Sequence, residues 1–293
     1  MKKLTVLFFL CIIPFIANAT ISEMSFGKWN IKFDDETKRA EFVKEGVTVL
    51  KDVKIKFKNG DVLLDASSYN SVKIKQEDIV DEVGKARKFT IEYTGSEDSD
   101  NPIVYQNFYL YDGQDYFLTD VILQSPDNSI ISSNYIAPIS TEADNLFLPA
   151  DVNNRFITVP FDNDGFITYT SYPLSCSQTD PESLAIGRVA RDSVSMEVSA
   201  IFNGETQLGL VIGSVDHDTW KSAVRITGSP LAQGKITNLE CFSGVTHHIT
   251  RDMIDGVLKP HGAVKGQQVK SARKVQVYPS FFSERLHNIH HQK

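Results

Sequence analysis

Apolar and polar residues alternate with a period of two along most of the chain. Apolar side chains occupy every second position in residues 29–33, 53–57 and 89–93. Side chains two residues apart share a face in a β-strand but not in an α-helix, so each stretch predicts a strand with one buried face. The same rule places Val194, Met196, Val198 and Ala200 on one face of a later strand.

Short turn signals separate these runs. The pairs Asn59-Gly60, Asp112-Gly113 and Asn203-Gly204 each lie between two alternating stretches and are typical of hairpins. No segment carries a sustained helical stripe. We therefore predict an all-β protein: a large antiparallel β-sandwich, or supersandwich, with long surface loops at 180–192 and 250–272.

The sequence divides into three parts. Lys2 and Lys3, a short apolar run and the small residues of Ala17-Asn18-Ala19 predict a cleaved export signal over residues 1–19. One sandwich is expected over residues 20–278, and two smaller sandwiches split near residue 140 are the alternative. Residues 279–293 are expected to be a disordered tail or a truncated linker. The export signal predicts a periplasmic or extracellular protein.

Charge narrows the possible partners. The chain has 293 residues and a formal net charge of −7, which becomes more negative when Lys2 and Lys3 leave with the signal. An acidic exported domain is a poor ligand for nucleic acid or for an anionic membrane surface. No second apolar segment is long enough to cross a bilayer, so we expect no membrane association after signal cleavage.

Two cysteines remain after signal cleavage, Cys176 and Cys241. In an oxidising compartment they can form a disulfide. The alternative is that both are separate buried thiols, because free cysteine behaves as a small apolar residue.

An acidic segment, Asp162-Asn163-Asp164-Gly165, lies between two β-forming runs. These residue types favour a four-residue hairpin turn, which accounts for them fully. The alternative is a sugar-binding loop at one end of the sandwich, in which Asp162, Asn163 and Asp164 accept hydrogen bonds from sugar hydroxyls. A calcium loop is not favoured, because Pro173 occupies the position where an EF-hand has its glutamate.

A second candidate site contains Asp216, His217, Asp218 and Trp220. Carboxylates beside an exposed indole suit carbohydrate, since the oxygens accept hydroxyl protons while the ring covers the apolar face of a sugar. The alternative is a strand end at which Trp220 anchors the core and the acids face solvent.

No catalytic or metal-binding motif is present. The chain lacks a GxSxG elbow, an HExxH helix and a phosphate-binding loop, and no pair of carboxylates is singled out by its surroundings. His247-His248 would point to opposite faces of a strand, so a metal site is not predicted. We predict no catalytic residues, no metal and no cofactor.

Three stretches resemble a known family: "RFITVPFDNDGFITY", "MEVSAIFNGETQLGLVIGSVDHDTWKSAV" and "GVTHHITRD". They are similar to the N-terminal region of exported melibiase-type α-galactosidases and related glycoside hydrolases. In that family a β-supersandwich precedes a TIM barrel, and the catalytic aspartates lie in the barrel.

The resemblance implies a substrate class, galactoside-type carbohydrate, but no activity for this chain alone. Where the family continues into its barrel, this sequence has "SERLHNIHHQK", so no barrel aspartate has a counterpart here. We therefore expect a non-catalytic sandwich that packs on a TIM barrel absent from this chain and helps to shape a sugar pocket. The alternatives are a free-standing carbohydrate-binding module and an inactive truncated remnant.

Overall fold

The computed structural model confirms the all-β prediction. It describes residues 21–98, 100–142, 148–159, 170–174, 192–216, 219–228, 236–245 and 263–277. These residues contain one 3-10 turn, Ala66–Ser68, and no α-helix. Accordingly, none of them belongs to a helix that could span a membrane. The predicted export signal and the tail after residue 278 lie outside the described ranges.

The strands follow the alternating runs of the sequence. In chain order they are β1 Ile21–Phe26, β2 Trp29–Asp34, β3 Arg39–Lys44, β4 Val47–Asn59, β5 Val62–Asp65, β6 Tyr69–Val80, β7 Lys85–Ser96, β8 Ile103–Tyr111, β9 Tyr116–Gln124, β10 Ile131–Ser133, β11 Ile136–Glu142, β12 Asn154–Thr158, β13 Thr170–Pro173, β14 Asp192–Met196, β15 Val198–Asn203, β16 Gly209–Ser214, β17 Lys221–Gly228, β18 Ile236–Val245, β19 Val264–Gly266, β20 Gln268–Lys270 and β21 Lys274–Val277.

The strands form two large sheets and one small one. A nine-stranded sheet has the order β1-β2-β3-β4-β11-β18-β17-β14, with β5 paired to β4. A ten-stranded sheet has the order β13-β12-β15-β16-β21-β9-β8-β7-β6, with β20 paired to β9. Strands β10 and β19 form the small sheet. We call the face of each large sheet that points away from the shared core its outer face.

Aromatic side chains join the inner faces of the two large sheets. Trp29 and Phe42 of the nine-stranded sheet meet Phe117 of the ten-stranded sheet edge-on, with ring centroids 4.8 and 5.0 Å apart. Phe42 also meets Phe108 at 5.9 Å. All four rings are at most 1% exposed. Edge-to-face pairs add to the free energy gained by burying apolar surface, so this cluster fixes the sheets against each other.

Both large sheets take strands from each side of residue 140. The nine-stranded sheet combines β1–β5 with β14, β17 and β18, and the ten-stranded sheet combines β6–β9 with later strands. One continuous core contains residues from both halves. The alternative of two sandwiches split near residue 140 is therefore wrong for the described residues.

The predicted shared face of residues 194–200 is also wrong. Glu197 adopts a left-handed backbone conformation, φ +63°, which interrupts the strand. The chain passes there from β14 in the nine-stranded sheet to β15 in the ten-stranded sheet. Met196 is consequently buried, whereas Val198 is 38% exposed.

The end of the predicted surface loop 250–272 is not a loop. Residues 264–266 and 268–270 are short strands, and Val269 and Ala272 are buried in the main core. The many turn-forming residues nearby concealed this, because strands of three residues are too short to show alternation.

A lysine is buried between the sheets. Lys274 on β21 is 0% exposed, and its Nζ donates to the hydroxyls of Ser214, Ser222 and Ser243 at 2.7, 2.7 and 2.9 Å. An ammonium group has three donors, so each is satisfied. Ser222 and Ser243 belong to the opposite sheet, so these hydrogen bonds cross the core. Burial lowers the pKa of Lys274 to about 8.

This pKa predicts a pH-dependent stability. Above pH 8 the folded protein releases a proton that the unfolded chain keeps until its ordinary pKa of 10.5, so stability rises with pH in that window. Between pH 7 and 9.5 we expect wild type to gain about 2 kcal/mol relative to Lys274→Met in urea denaturation. The difference between the two proteins cancels shared titrations. Parallel stability curves over this range would contradict the buried, proton-releasing lysine.

Candidate functional site

Most of the sequence-predicted site residues cannot be placed. Asp162, Asn163, Asp164, His217 and Asp218 lie outside the described residues, so their proposed roles stay predictions.

The disulfide also stays a prediction, because Cys176 lies outside the described residues. Cys241 on β18 is 0% exposed in the core. Burial raises the pKa of its thiol to about 11.

Trp220 is a core residue. Its side chain is 1% exposed and belongs to the main core cluster. A buried indole offers no face for a sugar to stack on, so the exposed aromatic platform is wrong for this residue. The alternative, a core anchor at a strand end, describes it.

Asp216 and Trp220 both hold one short segment, residues 270–273. The indole Nε1 of Trp220 donates to the Lys270 carbonyl at 2.7 Å. The Asp216 carboxylate accepts from the Arg273 backbone N–H at 3.0 Å. The backbone N–H of Val215 donates to the Arg273 carbonyl, also at 3.0 Å. Asp216 and Trp220 therefore position residues 270–273, and the Trp220 indole is not available to a ligand.

Part of this segment interrupts the pairing of β9 with the strands that follow each other along it. Strands β20 and β21 both pair with β9, and residues 271–273 form an irregularity between them. The Ser271 N–H donates to the Val121 carbonyl at 2.9 Å, and the Val121 N–H donates to the Ser271 hydroxyl at 3.0 Å. Such irregularities redirect side chains and are frequent beside functional sites. Here Lys270 and Arg273 reach the outer face of the ten-stranded sheet.

A polar cluster lies on that outer face. Asp120 on β9 is 0% exposed, accepts from Asn107 Nδ2 at 2.7 Å and from the Tyr109 hydroxyl at 2.9 Å, and forms an ion pair with Lys270 Nζ at 3.2 Å. The Thr90 hydroxyl donates to Asn107 Oδ1 at 2.7 Å. We call these residues, together with Arg273, the Asp120 cluster.

Arg273 covers the aromatic part of the Asp120 cluster. Its guanidinium carbon lies 5.3 Å from the centroid of the Tyr109 ring, within the range of a cation–π contact. Its Nε is buried and finds no hydrogen-bond acceptor among the described residues. Burial, reinforced by the neighbouring Asp120 carboxylate, raises the pKa of Tyr109, so its hydroxyl remains a donor at all ordinary pH values.

Asp81 and Tyr111 lie within electrostatic range of Arg273. The Tyr111 hydroxyl donates to Asp81 at 2.6 Å. Partial burial opposes ionisation of Asp81, but hydrogen bonds from Tyr111, Val83 and Gly84 and the charge of Arg273 outweigh it and hold the Asp81 pKa below its ordinary value. Asp81 is therefore ionised, and its oxygens already have donors.

The polar groups of the Asp120 cluster are engaged with one another. Two hydrogen bonds and an ion pair engage the Asp120 carboxylate, so it is not available as a general base. Within the described ranges, no three His, Cys, Asp or Glu side chains come together to hold a metal ion. Sequence reasoning missed this cluster because its members come from β7, β8, β9 and β20 and form no local motif.

A second polar cluster lies on the outer face of the nine-stranded sheet. Glu240 on β18 accepts from Lys56 Nζ at 2.9 Å, from Arg225 at 2.7 Å and from the Ser140 hydroxyl at 3.2 Å. Burial opposes its ionisation, but Lys56 and Arg225 outweigh burial and lower its pKa. Arg225 stacks on Phe242 at 5.1 Å. Glu240 is thus fully paired and joins β18 to three other strands of this sheet, β4, β11 and β17.

An apolar groove occupies the other half of the ten-stranded sheet's outer face. It has a volume of about 100 Å³. Its lining residues come from β12, β15, β16 and the β15–β16 turn: Ile157, Ala200, Phe202, Gln207, Gly209, Leu210 and Val211. Val198 and Leu208, in β15 and in that turn, are 38% and 42% exposed. Almost all of the groove's surface is apolar, and Ile157, Phe202 and Val211 are half-buried.

The fold is shared with parts of known glycoside hydrolases. No protein-family model matches the chain, and no curated protein matches its sequence. Among solved structures, an α-N-acetylgalactosaminidase from Bifidobacterium bifidum matches with a TM-score of 0.54 at 11% identity, covering 88% of this chain and 35% of that chain. A Glycoside Hydrolase Family 97 enzyme from a Pseudoalteromonas species, in complex with acarbose, matches with a TM-score of 0.52 at 10% identity over the same shares.

The comparison defines a class of domain. This chain has the β-sandwich fold that these glycoside hydrolases contain, and it spans about a third of their length. At this identity the likeness concerns the fold alone. Neither neighbour is named as a melibiase, so the comparison supports a glycoside-hydrolase sandwich in general and not the α-galactosidase type expected from the sequence.

The role of Trp220 can be tested against the other buried tryptophan. Trp220→Phe removes a hydrogen bond to the Lys270 carbonyl, whereas Trp29→Phe removes an indole N–H that is buried without a partner. Both lose similar volume, so we expect Trp220→Phe to destabilise the protein by about 1–3 kcal/mol more than Trp29→Phe in urea denaturation. An equal or smaller loss for Trp220→Phe would show that the bond to Lys270 does not position the segment.

Proposed function

We propose that this chain is the non-catalytic β-sandwich portion of an exported α-galactosidase-like glycoside hydrolase. In this role it packs on a catalytic barrel and helps to shape a sugar pocket. The observation that carries the proposal is the shared fold, which covers 88% of this chain but only 35% of each hydrolase. A sandwich of this type is thus one part of a longer enzyme in those neighbours.

The state of the buried carboxylates supports a non-catalytic role. Glycoside hydrolysis requires two carboxyl groups that can exchange a proton or attack the sugar. Asp120, 0% exposed, is engaged by two hydrogen bonds and an ion pair, and Glu240, 4% exposed, by three donors. Neither is poised to act as an acid or a base.

The apolar groove supports packing on a second domain. Ile157, Phe202 and Val211 project from neighbouring strands on the outer face, where none of the described residues covers them fully. The occupant we assign to the groove is the catalytic barrel, because the matched hydrolases contain about twice as much chain outside the sandwich as within it.

The free-standing carbohydrate-binding module is the weaker alternative. Its main support was an exposed Trp220, and that residue is 1% exposed. Export to the periplasm or the extracellular space remains part of the proposal and rests on the N-terminal sequence.

Turnover and binding separate these possibilities. We expect the purified chain to release no p-nitrophenol from p-nitrophenyl α-galactoside or the α-N-acetylgalactosaminide, with an active α-galactosidase as positive control. Turnover would overturn the non-catalytic assignment. Micromolar binding of neutral galacto-oligosaccharides in calorimetry would instead favour the free-standing module.

The groove predicts weak self-association of the isolated chain, since in the part of the chain that the structure describes its apolar residues are only partly covered. Val211→Glu places a charge in the groove and should weaken association by about tenfold or more in sedimentation-velocity experiments, because a charge is costly to bury. Val62→Glu is the matched control: Val62 is 60% exposed on β5 and lies outside the groove. A wild-type protein that stays monomeric at high concentration would argue against an unpartnered docking face.

A further inference from the structure

Strand β6 is a long free edge of the ten-stranded sheet. It has 12 residues, lies at one end of the sheet and, within the described ranges, pairs with β7 alone. The strands at the other ends of the two large sheets, β1, β13 and β14, have 6, 4 and 5 residues. Edge strands are usually kept short, because their unpaired backbone N–H and C=O groups are a template for a further strand.

Neither a bulge nor a proline blocks this edge. The pairing of β6 with β7 runs without a register shift from Ser71 to Val80, and β6 contains no proline. Val80 is 77% exposed, the highest value among the large apolar side chains of the described residues. A regular edge that leaves an apolar side chain in solvent gains backbone hydrogen bonds and apolar cover from an added strand.

Charged side chains restrict the strands that β6 can accept. Lys73 and Lys75 lie in the first half of the strand, and Glu77 and Asp78 lie in the second half. A parallel copy in the same register would put like charges opposite each other, which is destabilising. An antiparallel copy would put the basic half opposite the acidic half. The edge is therefore complementary to itself in the antiparallel direction.

One antiparallel register pairs these charges without a conflict. A two-fold axis perpendicular to the sheet keeps the outer faces of both copies on one side, so each residue opposes a residue of its own face. With the axis at Gln76, Lys75 of each copy lies opposite Glu77 of the other, and Val72 lies opposite Val80. Moving the axis by one residue opposes Lys75 with Lys75 or Glu77 with Glu77 instead.

The side chains of Lys75 and Glu77 are accessible to such a partner, since they are 53% and 58% exposed. Each already forms an ion pair with β7, Lys75 with Glu92 and Glu77 with Lys88. An added copy would join the ion pairs of both chains into one network across the new strand pair. Networks of charges contribute more than isolated surface pairs do.

We propose that a second copy of this chain adds to the free edge of β6, antiparallel and with the two-fold axis at Gln76. The ten-stranded sheets of the two copies then form one continuous sheet. None of the residues that line the apolar groove belongs to β6, so this interface is separate from the groove. The inference goes beyond the proposed function and does not depend on it.

Cross-linking tests the register directly. Gln76→Cys places two thiols opposite each other at the axis, so a short bismaleimide should link two chains. Asn70→Cys is the matched control on the same strand, because this register separates the two copies of residue 70 by about 40 Å. Both are made with Cys11→Ser and Cys176→Ser, which leave Cys241, 0% exposed, as the native thiol. We expect cross-linking of Gln76→Cys to be at least about tenfold faster.

Charge exchange tests the partner. In the Gln76→Cys protein, Lys75→Glu or Glu77→Lys alone puts like charges opposite each other and should slow cross-linking by about tenfold. The double variant Lys75→Glu with Glu77→Lys restores opposite charges between the copies and should recover the rate. Glu92 and Lys88 on β7 repel both exchanged side chains, so this recovery can come only from the second copy. Thermal melting establishes that each variant is folded.

Three results would overturn the proposal. Equal rates for Gln76→Cys and Asn70→Cys would exclude the register, and rates that ignore the charge exchange would exclude the pairing of Lys75 with Glu77. No cross-linking at high protein concentration would exclude a second copy and leave a strand of another protein as the occupant. Val211→Glu should not change the rate, because it alters only the groove. Failure here is thereby distinguishable from failure of the proposed function.

Discussion

The mutual burial of two sheet faces is the constraint on which the rest of this protein depends. Trp29 and Phe42 from one sheet meet Phe117 from the other within 5.0 Å, and these rings are at most 1% exposed. Because every strand alternates, a residue that does not point into this core must point to an outer face. The core therefore decides, strand by strand, which side chains are available for partners or ligands.

Arg273 and Lys274 are adjacent in sequence, but their side chains lie on opposite faces of the ten-stranded sheet. Lys274 points inward, where three serine hydroxyls bind its ammonium group, and Arg273 points outward over Tyr109. A shift of one residue in the pairing of β21 with β9 would exchange them. The hydrogen bonds of Ser271 with Val121 hold this register. The irregularity at residues 271–273 thus keeps Lys274 in the core and Arg273 on the outer face.

The outer face of the ten-stranded sheet has two chemically different halves. The half around Asp120 and Lys270 is polar and internally satisfied except at Arg273. The half around Phe202 and Val211 is an apolar groove. An apolar surface favours a protein partner. This division separates an apolar surface from a polar network on one face of one sheet.

The sequence by itself determined the architecture, because alternation of period two and Asn-Gly or Asp-Gly turns are local signals. Residues 29–33, 53–57 and 89–93 all lie in strands, as predicted. The interruption at Glu197 was not visible, since a single left-handed residue leaves the alternation intact. Only the tertiary structure decided that Trp220 is buried and that Asp120, Tyr109 and Arg273 meet. Those contacts join strands far apart in the chain, and their formation depends on sheet order, which no local pattern encodes.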